Sequence, residues 1–304
     1  MKYFKPFIPF AACWILLISS DNLYSIAMIN GIAQLVLFLF IVCLPIWKTG
    51  RMSYVDIGWP WGVALIGIIT YYLNDISTLS KSFMIAAYIL IGSRMGMGAL
   101  KMWSMGLLNK EFPRYEYQKI RWEKSNKTNI GLAMQVEALS QGLANASFLA
   151  IPIFLISVSP STQISTLEII GFIIFVLSIV FETVADYQKL KFLKEMKRQN
   201  KQNMVCDVGL WKYTRHPNYF AEWMVWNGLI IASIPSFILL FDSEALWLWI
   251  MIGIALLYTS RIMYITLVYL TGAVPSEYYS AQKRPNYKKY QQSTNIFFPG
   301  PKKI

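Results

Sequence analysis

Residues 213–223, YTRHPNYFAEW, hold the only histidine of the chain, with an arginine before it and a Pro-Asn-Tyr after it. Asn218 and Glu222 are four apart, so a helix places them on one face. A second run, VFETVADYQKLKFLK over 180–194, repeats the device with Glu182 and Asp186 and then adds lysines. Carboxylates accept hydrogen bonds from ribose hydroxyls and lysines pair with phosphate, so the mixture suits a nucleotide-like cofactor. A third run, SYVDIGWPWG over 53–62, contributes Asp56. Burial raises a carboxyl's pKa, and a protonated Asp56 would donate a hydrogen bond to a carbonyl.

Each run also has a plainer reading. Pro217 suits a first helical position, and Arg215, His216, Tyr219 and Trp223 suit a membrane interface. The lysines after Asp186 would snorkel from a helix leaving the membrane. Asp56 would pair with Arg51 or Arg94, as intramembrane charges do. Glu222 needs a partner when submerged, and a ligand, Arg94 or Arg261 would serve.

The elements that position these residues are membrane helices. The 304 residues are 56% hydrophobic and only 14% charged. Soluble domains carry about 25% charged residues. Eight apolar segments follow from the runs, over 7–20, 23–47, 54–73, 82–103, 130–158, 166–186, 217–241 and 245–270. The expected fold is all-α, a polytopic transmembrane helical bundle of about seven or eight spans. The first segment, with Lys2 and Lys5 ahead of it and Ser19-Ser20 behind, also has the form of a cleaved signal peptide.

The loops sort by charge. Lys48 and Arg51, the basic stretch from Lys101 to Lys127, the stretch from Lys189 to Arg215 and the tail from Lys283 to Lys303 alternate with loops marked by Asp21, Asp75 (with Lys81 as a weak exception), SPSTQIS, Asp242 and Glu244. The positive-inside rule then puts both termini in the cytoplasm. It also accounts for most of the net charge of +12 without nucleic acid. Cys13, Cys43 and Cys206 share no close spacing, and a single histidine leaves no metal signature.

On this topology Asp56, Arg94, Glu137, Glu182, Asp186, His216 and Glu222 fall in the cytoplasmic half of the bilayer, with Arg261 near mid-depth. A transporter would carry polar groups along its whole path and show repeats around the midplane. The one-sided arrangement predicts a cavity open to the cytoplasm. A water-soluble cofactor would enter there and a lipophilic small molecule would enter from the bilayer. No GxGxxG or Walker sequence is present, so any nucleotide is held by a different architecture. The tail, VPSEYYSAQKRPNYKKYQQSTNIFFPGP, reads either as a basic surface on anionic headgroups or, from its tyrosines and FFP, as a segment folded back on the bundle.

RHPNYFAEW, ETVADYQKLKFL and the tail elements TGAVPSE, RPNYKKY and FFP together resemble an uncharacterised bacterial membrane family. That family is related to the steroid 5α-reductases and more distantly to sterol reductases. The resemblance covers roughly residues 50–300, which divides the chain into N-terminal membrane segments over 1–50 and a reductase-like membrane domain over 51–304. RHPxY also occurs in the related isoprenylcysteine carboxyl methyltransferases, which use S-adenosylmethionine. Asp186, Asn218, Glu222 and Trp226 fit the reductase side.

The resemblance implies an integral membrane oxidoreductase of a bacterial cytoplasmic membrane. It would use NADPH to reduce a carbon–carbon double bond conjugated to a carbonyl in a lipophilic, steroid- or isoprenoid-like enone. By position, Asp186, Asn218 and Glu222 would line the cofactor site, with Lys194, Arg215, His216, Tyr219 and Tyr278 as further members. Asp56, with Tyr88 or Arg94, would hold the substrate carbonyl. Asp56 is one carbon shorter than the glutamate of the steroid enzymes, and Tyr88 is about a turn from strict alignment. An S-adenosylmethionine-dependent membrane methyltransferase and a membrane protein without catalysis are the two rival readings.

Overall fold

The computed structural model describes residues 2–74 and 78–303, so Asp75 in the third loop lies outside them. Among the described residues the long elements are all helical, and seven helices are long and apolar enough to cross a membrane. The chain is a polytopic membrane protein. In chain order the helices are α1 (Ile8–Ile18), α2 (Tyr24–Thr49), α3 (Val55–Leu73), α4 (Leu79–Ser104), α5 (Pro113–Lys124), α6 (Ile130–Val158), α7 (Thr166–Arg198), α8 (Pro217–Asp242), α9 (Leu246–Lys283) and α10 (Tyr287–Ser293). The first expected segment forms α1, whose 11 residues span about 16 Å, roughly half the hydrocarbon thickness. The basic loop expected between 104 and 130 contains α5.

The chain divides into two compact units, residues 1–170 with 229–259 and residues 171–228 with 260–304.

In the first unit α3 and α4 pack closely because small residues let their backbones approach. A Cβ added at Gly92 would lie 2.3 Å from the Ala64 nitrogen and 2.5 Å from the Pro60 oxygen. Three buried amides tie α2, α3 and α6 together. Asn30 Nδ2 donates to the Asn145 carbonyl at 3.1 Å, Gln34 Nε2 to Gly62 O at 2.8 Å, and Asn145 Nδ2 to Trp59 O at 3.0 Å. Away from water each such group must find a protein partner, so the three fix the relative depth of the helices.

Helix α5 starts at Pro113 and buries Tyr115 and Trp122 against Phe38, Val42, Ile46 and Met52. Glu111, just before it, accepts from Met52 N at 2.8 Å and Ser53 Oγ at 2.9 Å and pairs with Lys119 Nζ at 3.0 Å. Its carboxylate satisfies donors that the start of the helical stretch leaves open.

Candidate functional site

The second unit gathers most of the polar groups singled out in the sequence. Its frame is the later part of α7, the loop after it, the start of α8, the end of α9, α10 and the tail. Gln188 Oε1 accepts from Leu210 N at 2.8 Å and Trp211 Nε1 donates to Ala185 O at 2.9 Å, so the loop is pinned to α7. Gly209 has φ +55°, and a Cβ there would meet Gln188, so glycine serves both the turn and the close approach.

The tail folds back within this unit. Thr214 and Asn295 form a parallel bridge, Arg215 N donates to Asn295 O at 2.8 Å, and Gly300 N donates to Tyr213 O at 3.1 Å. Phe297 and Phe298 pack edge-on against Phe220 and Trp223. The fold-back reading of the aromatic tail is the one the structure adopts.

A buried ionic cluster organises the mouth of α8. Glu277 accepts from Arg215 Nε at 2.6 Å, Arg215 Nη2 at 3.1 Å and Gln291 Nε2 at 2.7 Å, and His216 Nε2 lies 3.0 Å from it. Arg215 Nη1 also donates to Gln291 O at 2.9 Å and to Thr294 O. Arg215, His216 and Glu277 are only 8%, 5% and 6% exposed. The two residues that open RHPNY therefore bind the chain's own tail.

Burial holds the His216 imidazole below its ordinary pKa, and the Glu277 carboxylate opposes that shift. Arg215 already balances Glu277, so the ring is neutral and donates through Nε2. The unfolded chain takes up a proton near about pH 6.5 that the folded chain refuses. Stability is therefore full above about pH 6.5 and falls as the pH drops below it. His216→Gln is expected to flatten this acid slope, read from thermal unfolding midpoints between about pH 7.5 and about pH 5. An unchanged slope would show that another group sets it.

Beside the cluster lies a pocket of about 150 Å³. Four of the predicted cofactor residues, Arg215, His216, Asn218 and Tyr219, line it, together with Lys189, Cys206, Trp211, Ser276, Ser280, Arg284, Tyr287 and Tyr290. Tyr219 stacks parallel to the His216 ring with centroids 5.2 Å apart. Asn218 Nδ2 donates to Asp186 Oδ1 at 3.2 Å, and its own Oδ1 is buried without a hydrogen-bond partner. Lys189 Nζ sits 3.9 Å above the Trp211 ring, and Arg284 Nη1 donates to Ser280 Oγ at 2.8 Å. Among the described residues neither cation has a carboxylate within salt-bridge distance. Burial and the Glu277 charge push the Tyr287 phenol above its ordinary pKa, so that wall is neutral.

Asp186 joins the site through Asn218. Glu222 lies one turn further along α8, partly buried and not on the pocket wall, and Glu182 is buried on α7. Lys194 is exposed on α7, and the exposed Tyr278 ring packs against Tyr279; neither lines the pocket.

The predicted substrate-carbonyl residues belong to the first unit. Asp56 is held by α5: its Oδ1 accepts from Tyr115 OH at 2.7 Å and its Oδ2 pairs with Arg114. Both carboxylate oxygens are therefore engaged by side chains of α5. Tyr88 is fully buried and gives its hydroxyl proton to Leu149 O at 2.5 Å. Tyr88 packs beside Gly67, eleven residues along α3 from Asp56, so the two lie about 16 Å apart along that helix. Arg94 is half-buried on α4, six residues beyond Tyr88. The structure does not bring Asp56 and Tyr88 together, and each is engaged with a protein partner.

Sequence reasoning missed Glu277 and Arg284 and included Lys189 only among the lysines suited to phosphate. Lys189 follows Asp186 by three residues and shares its helical face, a signal that was available. Glu277 stands in TGAVPSE, six residues before the nearest basic residue, Lys283, and nothing in that run marks it. Nothing local distinguishes Arg284 from the other tail cations.

A family model described as "Protein of unknown function (DUF1295)" matches residues 39–294. No curated protein and no solved structure matches the chain.

Proposed function

The chain belongs to the DUF1295 family, and on that premise we propose that it is an NADPH-dependent membrane oxidoreductase acting on a conjugated carbon–carbon double bond of a lipophilic enone. One observation carries the reading: the pocket of the second unit, where among the described residues Lys189 and Arg284 are unmatched by carboxylates and a buried Asn218 oxygen has no partner. The residues fit a phosphorylated nucleotide. Lys189 and Arg284 supply charge for phosphate, and Ser276 and Ser280 supply hydroxyls. Asn218 Oδ1 accepts from an amide or hydroxyl, and Trp211 and the Tyr219–His216 stack offer flat apolar faces.

When bound, NADPH would supply hydride chemistry, and Lys189, Arg284, Ser276, Ser280 and Asn218 would hold it. The protein's own task in this unit is to bind and orient. Glu277 locks Arg215 and His216, which fixes the first turn of α8 and hence Asn218 and Tyr219. Asp186 accepts the Asn218 amide proton, which leaves the Asn218 oxygen to accept from a ligand. The lipophilic substrate class and the bacterial cytoplasmic membrane belong to the same proposal, on the strength of the resemblance and the apolar spans.

S-Adenosylmethionine would bring a sulfonium cation to a pocket already carrying two cations, a repulsive combination. Direct binding of NADPH and of S-adenosylmethionine to the detergent-purified protein decides between them, beside an Asn218→Ala variant. NADPH is expected to bind, with the variant weaker by about tenfold, the value of one good hydrogen bond. S-Adenosylmethionine binding alone would move the protein to the methyltransferases. Binding of neither by folded protein would leave the polar cluster with a purely architectural role.

A further inference from the structure

We propose that residues 273–293 form a strap along one side of the pocket in the second unit, which swings aside to admit a ligand and is latched shut by Glu277. The strap is read from contacts within this unit, and only the choice of probe below rests on the dinucleotide reading. The pocket has two sides. Ser276, Ser280, Arg284, Tyr287 and Tyr290 come from the end of α9, α10 and the turn between them, and every other lining residue comes from α7, the loop after it and the start of α8. Trp211, Arg215 and His216 on one side and Tyr287 and Tyr290 on the other are buried. A ligand that touches both sides enters between them.

The first side is fixed. α7 and α8 approach so closely that a Cβ at Gly228 would lie 2.7 Å from Gly171 O and 2.8 Å from Phe175 N, and the loop between them is pinned through Gln188 and Trp211. Backbones packed this tightly move together. The second side has joints. α9 passes through a π turn over Thr266–Leu270 and breaks at Gly272, where a Cβ would lie 1.9 Å from Leu267 O. Hinges are made of such element-terminal residues, and π turns concentrate at functional sites. A second break, over 284–286, separates α9 from α10, and the bridge between Asn295 and Thr214 anchors the far end. Between these joints the strap is tied across the pocket through Glu277 to Arg215 and His216, through Gln291 O to Arg215, and through the Tyr290 hydroxyl to Trp211 O. Glu277 carries the charge-assisted contacts to Arg215 on both Nε and Nη2, the strongest kind. Arg284 and Ser280 on the strap, with Lys189 and Asn218 opposite, would draw it closed on an anionic ligand. Glu277 and Gly272 are thus positioning residues that act through the strap.

Hydrogen–deuterium exchange of the detergent-purified chain tests the strap without a ligand. Glu277→Gln removes the charge of the latch and keeps its shape, and thermal unfolding confirms that the variant is folded. The substitution is expected to speed amide exchange over 273–293 by about 10- to 100-fold, as loss of a charge-assisted hydrogen bond allows, and to leave 185–212 on the opposite side unchanged. No rise, or a rise shared equally by 185–212, would overturn the strap, since the cluster would then hold the unit as a whole. NADPH is the probe of closure and is expected to slow exchange over 273–293 in the wild-type chain. NADPH that binds in a direct titration without slowing this segment would overturn closure on the ligand. Failure of NADPH to bind would sink the dinucleotide reading alone, because the ligand-free comparison decides the strap by itself.

Discussion

Glu277→Ala is expected to lower the unfolding free energy of the detergent-solubilised protein by about 3–5 kcal/mol, the range for removing one partner of a buried ion pair. The variant leaves the Arg215 guanidinium 8% exposed with no carboxylate, and takes from His216 its acceptor. Gln291 loses its side-chain acceptor as well. The damage spreads because Arg215 also donates to Gln291 O and Thr294 O, and those bonds hold the tail against the start of α8. Glu277→Gln keeps the shape and one acceptor oxygen and should fall between wild type and Ala. Limited proteolysis offers a second readout, since a loosened tail is cut earlier near residues 291–300. An Ala variant that melts with the wild type and resists protease equally would show that the cluster contributes no net stability.

The second large effect belongs to the first unit. Gly92→Val should destabilise by an amount at or beyond the top of the ~1–3 kcal/mol usual for overpacking. The added Cβ would sit 2.3 Å from Ala64 N and 2.5 Å from Pro60 O, and these are backbone atoms. A flexible side chain could swing aside; a helix backbone cannot, so α3 and α4 must separate and forfeit dispersion contact along their length. Gly98, on the same helix, is the control, because nothing lies within 4 Å of its added Cβ. Gly98→Val should change the unfolding midpoint little. Equal effects of the two substitutions would place the cost in helix propensity instead of close packing.

The two cases differ in how far they could be read from the chain alone. The α3–α4 approach carries a local hint, because glycines at 62, 67, 92 and 96 lie in apolar runs where they cost helix propensity for no local gain. Glu277 gives no such hint. Its partners Arg215 and His216 stand 62 and 61 residues away, with α8 and most of α9 between them. The same holds for Asp56. Its position inside a span marked it as a group needing a partner, yet Arg114 and Tyr115 come from α5, a helix hidden inside what reads as a basic loop. Tyr88 went astray for the converse reason. A tyrosine in an apolar run looks available for chemistry until the Leu149 carbonyl that takes its proton is known.

What the sequence determined by itself was the set of membrane helices and the gathering of cations and acids at particular helix ends. Hydropathy and charge are properties of a window of neighbouring residues, and the bilayer imposes them directly on each segment. It also marked Arg215, His216, Asn218 and Tyr219, because one short run carried them all onto a single pocket wall. Only the tertiary structure decided which buried charge meets which. It turned Arg215 and His216 into the tether of the tail and left Lys189 and Arg284 lining the pocket with no carboxylate partner among the described residues. Pairing depends on distances between residues far apart in the chain, and on which donors are already spent, and no local pattern of residue types records either.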